Sequence, residues 1–137
     1  MPLAVEVVSP ERVLYTGEGD MVVARTSEGE IAFLPGHVPF LGALGIGSVR
    51  VILPGEGEQA IAVHGGFVQV ANDRVIVLSD VAELAQNIDV ARAQQAKANA
   101  EARIAADPED EDAQQALLRA ETRLLVSGAT TGVGVTG

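Results

Sequence analysis

The sequence predicts a β + α fold, in which an N-terminal antiparallel β-sandwich is followed by a C-terminal antiparallel two-helix hairpin. The composition changes once along the chain: residues 1–84 are rich in Val, Ile and Gly, and residues 88–126 in Ala, Gln, Glu and Arg. Short β-branched runs with frequent turn signals are typical of sandwiches, and alanine has the highest helix propensity. The predicted units are a β-sandwich domain (1–84), a linker (85–88), a helical hairpin (89–126) and a flexible tail (127–137).

The strands are predicted from Val- and Ile-rich runs with a two-residue period. Leu3, Val5 and Val7 define the first run, in which apolar side chains alternate with less apolar positions. Further strands are predicted at 21–26, 30–34, 48–53, 59–64, 67–70 and 75–78. The segments PGEG (54–57) and ANDR (71–74) are typical of tight turns, so each is expected to close a hairpin.

The Ala-rich region predicts two helices that are joined at Asp107-Pro108. Asp107 is expected to cap the second helix, Pro108 to occupy its first position, and the acids of 109–112 to lie in its first turn. The helix dipole favours anions there, so the acidic run is interpreted as a solvated helix start and not as a metal site. This helix is expected to end near Val126, before Ser127.

The first predicted helix has a small apolar face. From Ala91 to Arg103 the sequence contains no Val, Ile, Leu, Met or Phe. Because burial of apolar area is what normally docks a helix, the hairpin is expected to be held weakly to its own sandwich. Two interpretations stay open: a loosely packed appendage, or a mobile arm that moves between two docking places.

Charge and composition exclude several classes of function. The formal charge of −10 disfavours nucleic acid and anionic membranes as main partners, and one Tyr and three Phe are too few for base stacking. The chain has no cysteine, which excludes disulfides, thiolate metal sites and a cysteine nucleophile. No stretch approaches the ~20 apolar residues of a membrane span. A strand is predicted in place of a leader, so we expect an intracellular protein without direct membrane insertion.

Reactive side chains are sparse. His37 and His64 lie in separate strand-rich segments without the spacing of metal ligands, and neither G-x-S-x-G nor H-E-x-x-H occurs. A small enzyme with a His/carboxylate metal site is therefore the least favoured hypothesis. Residues 36–47, GHVPFLGALGIG, are interpreted as a loop whose apolar side chains either fill the core or contact a partner.

Three sequence motifs occur in a characteristic order and spacing. Residues 29–40 are GEIAFLPGHVPF, residues 61–70 are IAVHGGFVQV, and residues 88–93 are IDVARA. Together with VEVVSPE at 5–11, they resemble the signature segments of the epsilon subunit of F-type ATP synthases. The resemblance covers about residues 3–126 of the chain.

This resemblance implies a noncatalytic subunit of the rotating central stalk, which couples the gamma subunit to the membrane-embedded c-ring. In bacterial members the hairpin folds beside the sandwich or extends along gamma, where it meets the catalytic alpha and beta subunits and inhibits ATP hydrolysis. Glu30 and His37 match family positions at the c-ring, and Phe40 and Leu41 are expected at the same rotor interface. The implied location is the cytoplasmic face of the bacterial plasma membrane, as a peripheral part of the complex.

Some members of that family bind ATP on the folded hairpin, so the resemblance also implies a regulatory nucleotide and no required cofactor. The matching positions are Glu83, Ile88, Asp89, Arg92, Ala93, Arg119 and Arg123. Arginines bind phosphate oxygens with a fork of donors, and a carboxylate accepts hydrogen bonds from amino or ribose groups. Asp89 equally fits a helix N-cap. Gln94 and Asn99 stand where the family often has Lys and Arg, so weak ATP binding is expected.

A different class of function stays open, a free-standing β-sandwich adaptor whose helical hairpin docks another protein. A stalk subunit is expected to bind gamma, whereas such an adaptor is not. Co-purification with gamma therefore separates the two hypotheses.

Overall fold

The computed structural model describes residues 2–128, and the predicted flexible tail lies outside the described residues from position 129 onward. The strands are β1 (Leu3–Val8), β2 (Val13–Gly19), β3 (Met21–Thr26), β4 (Gly29–Phe33), β5 (Phe40–Ile52), β6 (Glu58–Ala71), β7 (Arg74–Leu78) and β8 (Ala82–Leu84). A short 3-10 helix (Ala85–Asn87) leads to helices α1 (Val90–Ala106) and α2 (Glu111–Gly128). The predicted β-sandwich followed by two helices is confirmed.

The strands form one continuous sheet in the order β2-β1-β7-β6-β5-β3-β4, and β8 pairs with β6. The described ladders are antiparallel except for that of β1 with β7, which is parallel and has the long connection through the intervening strands that a parallel pair needs. Residues from β1 and from β4 share one buried cluster, so the sheet folds over on itself. That core consists of Leu3, Val5, Val7, Val22, Ala24, Phe33, Leu44, Val49, Val51, Ile61, Val63, Val68, Val70, Val75 and Val77.

The long strands β5 and β6 differ most from the prediction. The predicted loop at 36–47 is strand from Phe40 onward, and two of the predicted strands are merged into the single bent strand β6. The bend lies at Gly65 and Gly66, which have φ of +90° and +120°. A Cβ on Gly66 would clash with the carbonyl oxygen of Leu78. Glycine therefore lets the strand continue where a neighbouring backbone comes close.

Strands β2 and β8 have no counterpart in the prediction. β2 lies at an edge of the sheet and is mostly exposed or half-buried, so it lacks the apolar alternation of a buried strand. β8 is only three residues long and exists through its pairing with β6. Pairing of this kind depends on the fold of the whole sheet, which a local pattern does not contain.

Both predicted hairpin turns are present. Asn72 and Asp73 adopt left-handed φ values of 53° and 61°, as the turn of a two-residue hairpin requires. The Leu53 N–H donates to the Gly57 carbonyl and closes the other turn. The Asn72-Asp73 turn also holds the segment between β4 and β5, because the Asp73 carboxylate accepts a hydrogen bond of 2.7 Å from the Gly36 N–H.

Helix α1 begins as predicted. The Asp89 carboxylate caps it by accepting a hydrogen bond of 3.1 Å from the Arg92 N–H. The buried residues of α1 are Ala93 and Ala100, and the helix packs chiefly against α2. The first helix is therefore held by its partner helix and not by direct burial against the sheet.

Helix α2 begins at Glu111, and the prediction of a cap at Asp107 with Pro108 as first helical residue is wrong. The Asp107 carboxylate instead accepts from the Glu109 N–H and closes a local turn. Asp110 is the cap, because its carboxylate accepts a hydrogen bond of 3.0 Å from the main-chain N–H three residues on. The carboxylate nearest the free N–H groups thus sets the start of the helix.

Helix α2 docks the hairpin on the sheet through a small apolar cluster. It contacts β5, β6 and the 3-10 helix. The cluster consists of Ala60, Ala62, Ala85, Ile88 and Val126. The predicted linker therefore contributes two buried residues to this contact, and α2 continues past its predicted end near Val126 to Gly128.

Candidate functional site at the hairpin–sandwich junction

The hairpin meets the sandwich at an ion pair. Arg123 on α2 donates from Nε to Oε1 of Glu83 on β8, at 2.5 Å and across 40 residues of chain. The two side chains are 27% and 33% exposed, so water screens the pair only in part. Within residues 2–128, no other ion pair joins the helices to the strands.

His64 lies beside this ion pair, on the same face of β6 as Ala60 and Ala62. Its side chain is 4% exposed, and its Nε2 is 3.6 Å from Oε1 of Glu83. This separation is beyond hydrogen-bond range, so neither ring nitrogen has a partner among the described residues. A buried polar group without a partner costs about 1–3 kcal/mol, and such groups are rare in folded proteins.

Burial and charge both act on this imidazole. Desolvation lowers the pKa of His64 below its ordinary value of 6.5, and the positive charges of Arg123 and Arg119 lower this pKa further. The Glu83 carboxylate raises the pKa but does not offset these effects. His64 is therefore neutral near pH 7, and Arg119, the second arginine of α2, is near enough for its charge to act on the ring.

The other predicted nucleotide-binding residues are divided between the interior and an exposed helix start. Ile88 and Ala93 are buried, whereas Asp89 and Arg92 are exposed at the start of α1. Glu83 lines a cavity of about 200 Å³ beside β2 and β8, to which neither Asp89 nor Arg92 contributes. The structure thus groups Glu83 with the arginines of α2 and leaves Arg92 apart from them.

Three of the four predicted rotor-interface residues lie together where β4 leads into β5. The His37 ring packs edge-on against Phe33 with 5.1 Å between centroids, and the Phe40 ring is 5.4 Å from Phe33. Phe33 is fully buried and Phe40 half-buried, whereas Leu41 is 70% exposed. Phe40 is therefore partly a core residue, and Leu41 projects into solvent.

Glu30, the fourth predicted rotor residue, lies elsewhere. It precedes Phe33 on β4 by three residues, or about 10 Å along the strand. It is exposed and lines a groove of about 700 Å³ between the sheet and α2, together with Arg25, Leu118 and Leu125. The structure does not bring Glu30 together with the loop residues.

Sequence reasoning missed an apolar row on the outer face of the sheet. Ala43, Phe67 and Leu78 lie side by side on β5, β6 and β7, and the last two are 54% and 43% exposed. The bend in β6 changes which alternate residues face the core, so Phe67 points outward although it lies in a strongly apolar run. The glycine pair at 65–66 is the signal that could have indicated this change.

The junction offers charge-pairing and proton-binding groups. Within residues 2–128, no three His, Cys, Asp or Glu side chains are grouped so that they could hold a metal ion. No helix in this part of the chain has the length and apolar character needed to cross a membrane.

The Glu83–Arg123 pair is predicted to contribute about 1 kcal/mol to the stability of the docked hairpin, because it is charge-assisted but partly solvated. Glu83→Gln and Arg123→Gln should each lower the free energy of unfolding in urea, followed by helical circular dichroism. The free energy of unfolding of the double variant should be little lower than that of either single variant, since each of the three proteins lacks the same ion pair. Arg92→Gln, at an exposed position on α1, is the matched control; fully additive losses would contradict the prediction.

Comparison with known proteins places the whole described chain in one family. Residues 2–85 match the family model "ATP synthase, Delta/Epsilon chain, beta-sandwich domain", and residues 86–128 match "ATP synthase, Delta/Epsilon chain, long alpha-helix domain". The ATP synthase epsilon chain of Thermobifida fusca is 53% identical over 110 residues, which cover 78% of this chain and 80% of that one. The epsilon chain of Halalkalibacterium halodurans is 44% identical over 130 residues, which cover 92% of this chain and 97% of that one.

A solved structure has the same fold. It is a chain of the Euglena gracilis mitochondrial ATP synthase (OSCP/F1/c-ring), with a TM-score of 0.68 at 19% identity, and the match covers 96% of this chain and 81% of that one. The two family models and the curated relatives establish the relationship in sequence, and this structure establishes the likeness in fold. The chain therefore belongs to the ATP synthase delta/epsilon chain family, among the epsilon chains of the bacterial F-type enzyme.

Proposed function

We propose that the chain is the noncatalytic central-stalk subunit that couples gamma to the c-ring, and that its hairpin regulates ATP hydrolysis. The observation that carries this proposal is the small contact between hairpin and sandwich. It consists of a five-residue apolar cluster, of which three members are alanine, and the ion pair between Glu83 and Arg123. Such a contact buries little apolar area, so undocking costs little free energy.

The sandwich does not need the hairpin for its own core. Every residue of the main apolar cluster belongs to the strands, from Leu3 on β1 to Val77 on β7. Release of α2 would expose Ala60 and Ala62 on the sheet, together with the imidazole of His64, and no residue of the main core. The sandwich can therefore keep its contacts with gamma and the ring while the hairpin changes position.

Docking also hides the two basic residues of α2. Arg123 is paired with Glu83, and Arg119 is half-buried at the same junction. An extended hairpin would present both arginines to other surfaces, and in our proposal these are acidic loops of the alpha and beta catalytic subunits. The complex would hold the chain at the cytoplasmic face of the bacterial plasma membrane.

The ring-facing surface is assigned to the segment that carries His37, Phe40 and Leu41. Leu41 and Val38 are 70% and 69% exposed, which is high for apolar residues beside a well-packed aromatic cluster. Glu30 would form a second, separate contact, because it is exposed on β4 beside the groove.

Reconstitution with the alpha–beta hexamer and gamma tests the proposed function. The full chain is expected to bind gamma and to lower the rate of ATP hydrolysis. A chain that ends at Asn87 is expected to fold, to unfold cooperatively and to bind gamma, because the main core is complete without the helices. It is expected to leave hydrolysis uninhibited, because it lacks the hairpin. Failure of the full chain to bind gamma would contradict the proposal and favour a free-standing adaptor.

Leu41→Asp is predicted to weaken association with the c-ring at least tenfold without loss of thermal stability, because the side chain is exposed in the isolated chain. Phe40→Asp should weaken association and also destabilise the sandwich by about 2 kcal/mol, since its ring packs on buried Phe33. Ala32→Asp, at an exposed position on β4, is the control for added charge. Unchanged ring binding by Leu41→Asp would remove this segment from the interface.

We also propose ATP as a weak regulatory ligand of the docked hairpin, which would have to span two separate groups of residues: Glu83, Arg119 and Arg123 at the junction, and Asp89 and Arg92 at the exposed start of α1. Arg123 is already paired with Glu83, so a phosphate has to compete for it. Arg92 faces solvent near the α1 N-terminus, and Gln94 and Asn99 add no positive charge. These features together predict low affinity.

Calorimetric titration of the full chain with ATP is expected to show binding at millimolar concentration at best. Arg92→Ala should weaken it roughly tenfold or more, because a charge-assisted contact contributes about 1.5–3 kcal/mol. Lys97→Ala removes one charge from the same helix outside the proposed site and is the control. Tight binding that survives Arg92→Ala would contradict both the site and the reasoning from missing charges.

A further inference from the structure

We propose that His64 is a proton-operated latch, so that protonation of its buried imidazole on acidification releases α2 from the sandwich. Docking can be measured on the isolated chain, and only the consequence for ATP hydrolysis rests on the function proposed above. His64 is a buried titratable group that neither the rotor interface nor the nucleotide site uses.

One carboxylate oxygen lies between two competing donors. Oε1 of Glu83 is 2.5 Å from Nε of Arg123 and 3.6 Å from Nε2 of His64. When His64 is neutral, Arg123 holds this oxygen alone. When His64 is protonated, its Nε2–H becomes a charged donor that needs to move by less than 1 Å to reach hydrogen-bond range.

The position of His64 is fixed by the backbone around it. Its N–H donates to the Val81 carbonyl at 3.0 Å, and the Ser79 hydroxyl donates to the Gly65 carbonyl at 2.7 Å. These bonds hold the turn between β7 and β8 against β6 and fix the backbone from which the imidazole projects. A second cavity, of about 480 Å³, lies beside this turn and has His64 and Asp80 among its lining residues.

The charges that face the imidazole come from several elements. Glu83 is contributed by β8, and Arg119 and Arg123 by α2. Asp80, on the turn between β7 and β8, lines the neighbouring cavity. On β5, the residue paired with His64 is the uncharged Ile46. The two arginines belong to the part that leaves on undocking, whereas the Glu83 carboxylate stays with the sandwich.

This division sets the direction of the pH effect. In the docked state, desolvation and the arginines lower the pKa of His64. Undocking exposes the ring, removes Arg119 and Arg123 and leaves Glu83 nearby, so the pKa of His64 rises to 6.5 or above. The undocked state therefore binds the proton more tightly, and docking weakens as the pH falls below about 6.5.

The size of the effect follows from the same linkage. The docking equilibrium constant falls up to roughly tenfold for each unit by which the pKa of His64 differs between the two states. Protonated His64 also competes with Arg123 for Oε1 of Glu83, which weakens the ion pair between hairpin and strands and leaves docking more dependent on the alanine-rich cluster.

The first test is an NMR titration of the two imidazoles of the full chain. His64 is expected to titrate clearly below 6.5, and the other histidine, His37, serves as internal reference. In Arg123→Gln, a positive charge that lowers the pKa of His64 is lost, so the His64 titration should move to higher pH. A docked His64 that titrates at or above 6.5 would overturn the proposal.

The second test measures docking itself. The chain has no cysteine, so Glu28→Cys on the turn after β3 and Gln115→Cys on α2 take a single fluorescent donor–acceptor pair. Energy transfer should fall between pH 7.5 and 5.5 in the parent chain and in its His37→Gln variant, and stay constant in His64→Gln. Constant transfer in the parent chain, or an equal fall in His64→Gln, would overturn the latch.

The two tests remain informative if one variant does not fold. Circular dichroism identifies such a variant, and the imidazole titration of the parent chain then decides the question without it. Both measurements use the isolated chain, whereas the proposed function is tested by gamma binding and ATP hydrolysis. Loss of one proposal is therefore distinguishable from loss of the other.

Discussion

The long antiparallel pairing of β5 with β6 is the constraint on which the rest of the molecule depends. It runs from Phe40 opposite Val70 to Ile52 opposite Glu58, so two strands span the whole sandwich. On β6, Ile61 and Val63 face the core on one side, whereas Ala60 and Ala62 carry the hairpin on the other. One strand therefore supports both the sandwich and the docking surface, and every feature at the junction is positioned relative to it.

The bend in β6 lies at the end of the segment that supports both the sandwich core and the docked hairpin. Gly65 and Gly66 have backbone angles that residues with a Cβ rarely adopt, and the adjoining Ser79 turn closes over them. His64 immediately precedes the bend, and its side chain is 4% exposed beside the Glu83–Arg123 pair. Because His64 is buried beside the Glu83–Arg123 pair, its protonation is linked to the position of α2, which is distant in sequence.

How much of this was predictable depends on the range of the interactions involved. Local signals identified the hairpin turn at Asn72-Asp73 and the cap at Asp89, because both are satisfied within a few residues. The start of α2 was missed because Asp107 and Asp110 are equally plausible caps in the sequence, and only the three-dimensional turn selects Asp110. The role of His64 was not predictable, since it requires β8, the bend and α2 to be present together.

The packing of α1 has a consequence for how the molecule opens. α1 buries only Ala93 and Ala100 and is attached chiefly to α2, which in turn is attached to the sheet. The chain therefore forms a series of three layers in which each depends on the one beneath it. Amide hydrogen exchange should follow this order, with the outer helix least protected, α2 intermediate and β5–β6 slowest. Force or denaturant would therefore detach or unfold α1 first, while the sandwich stays folded.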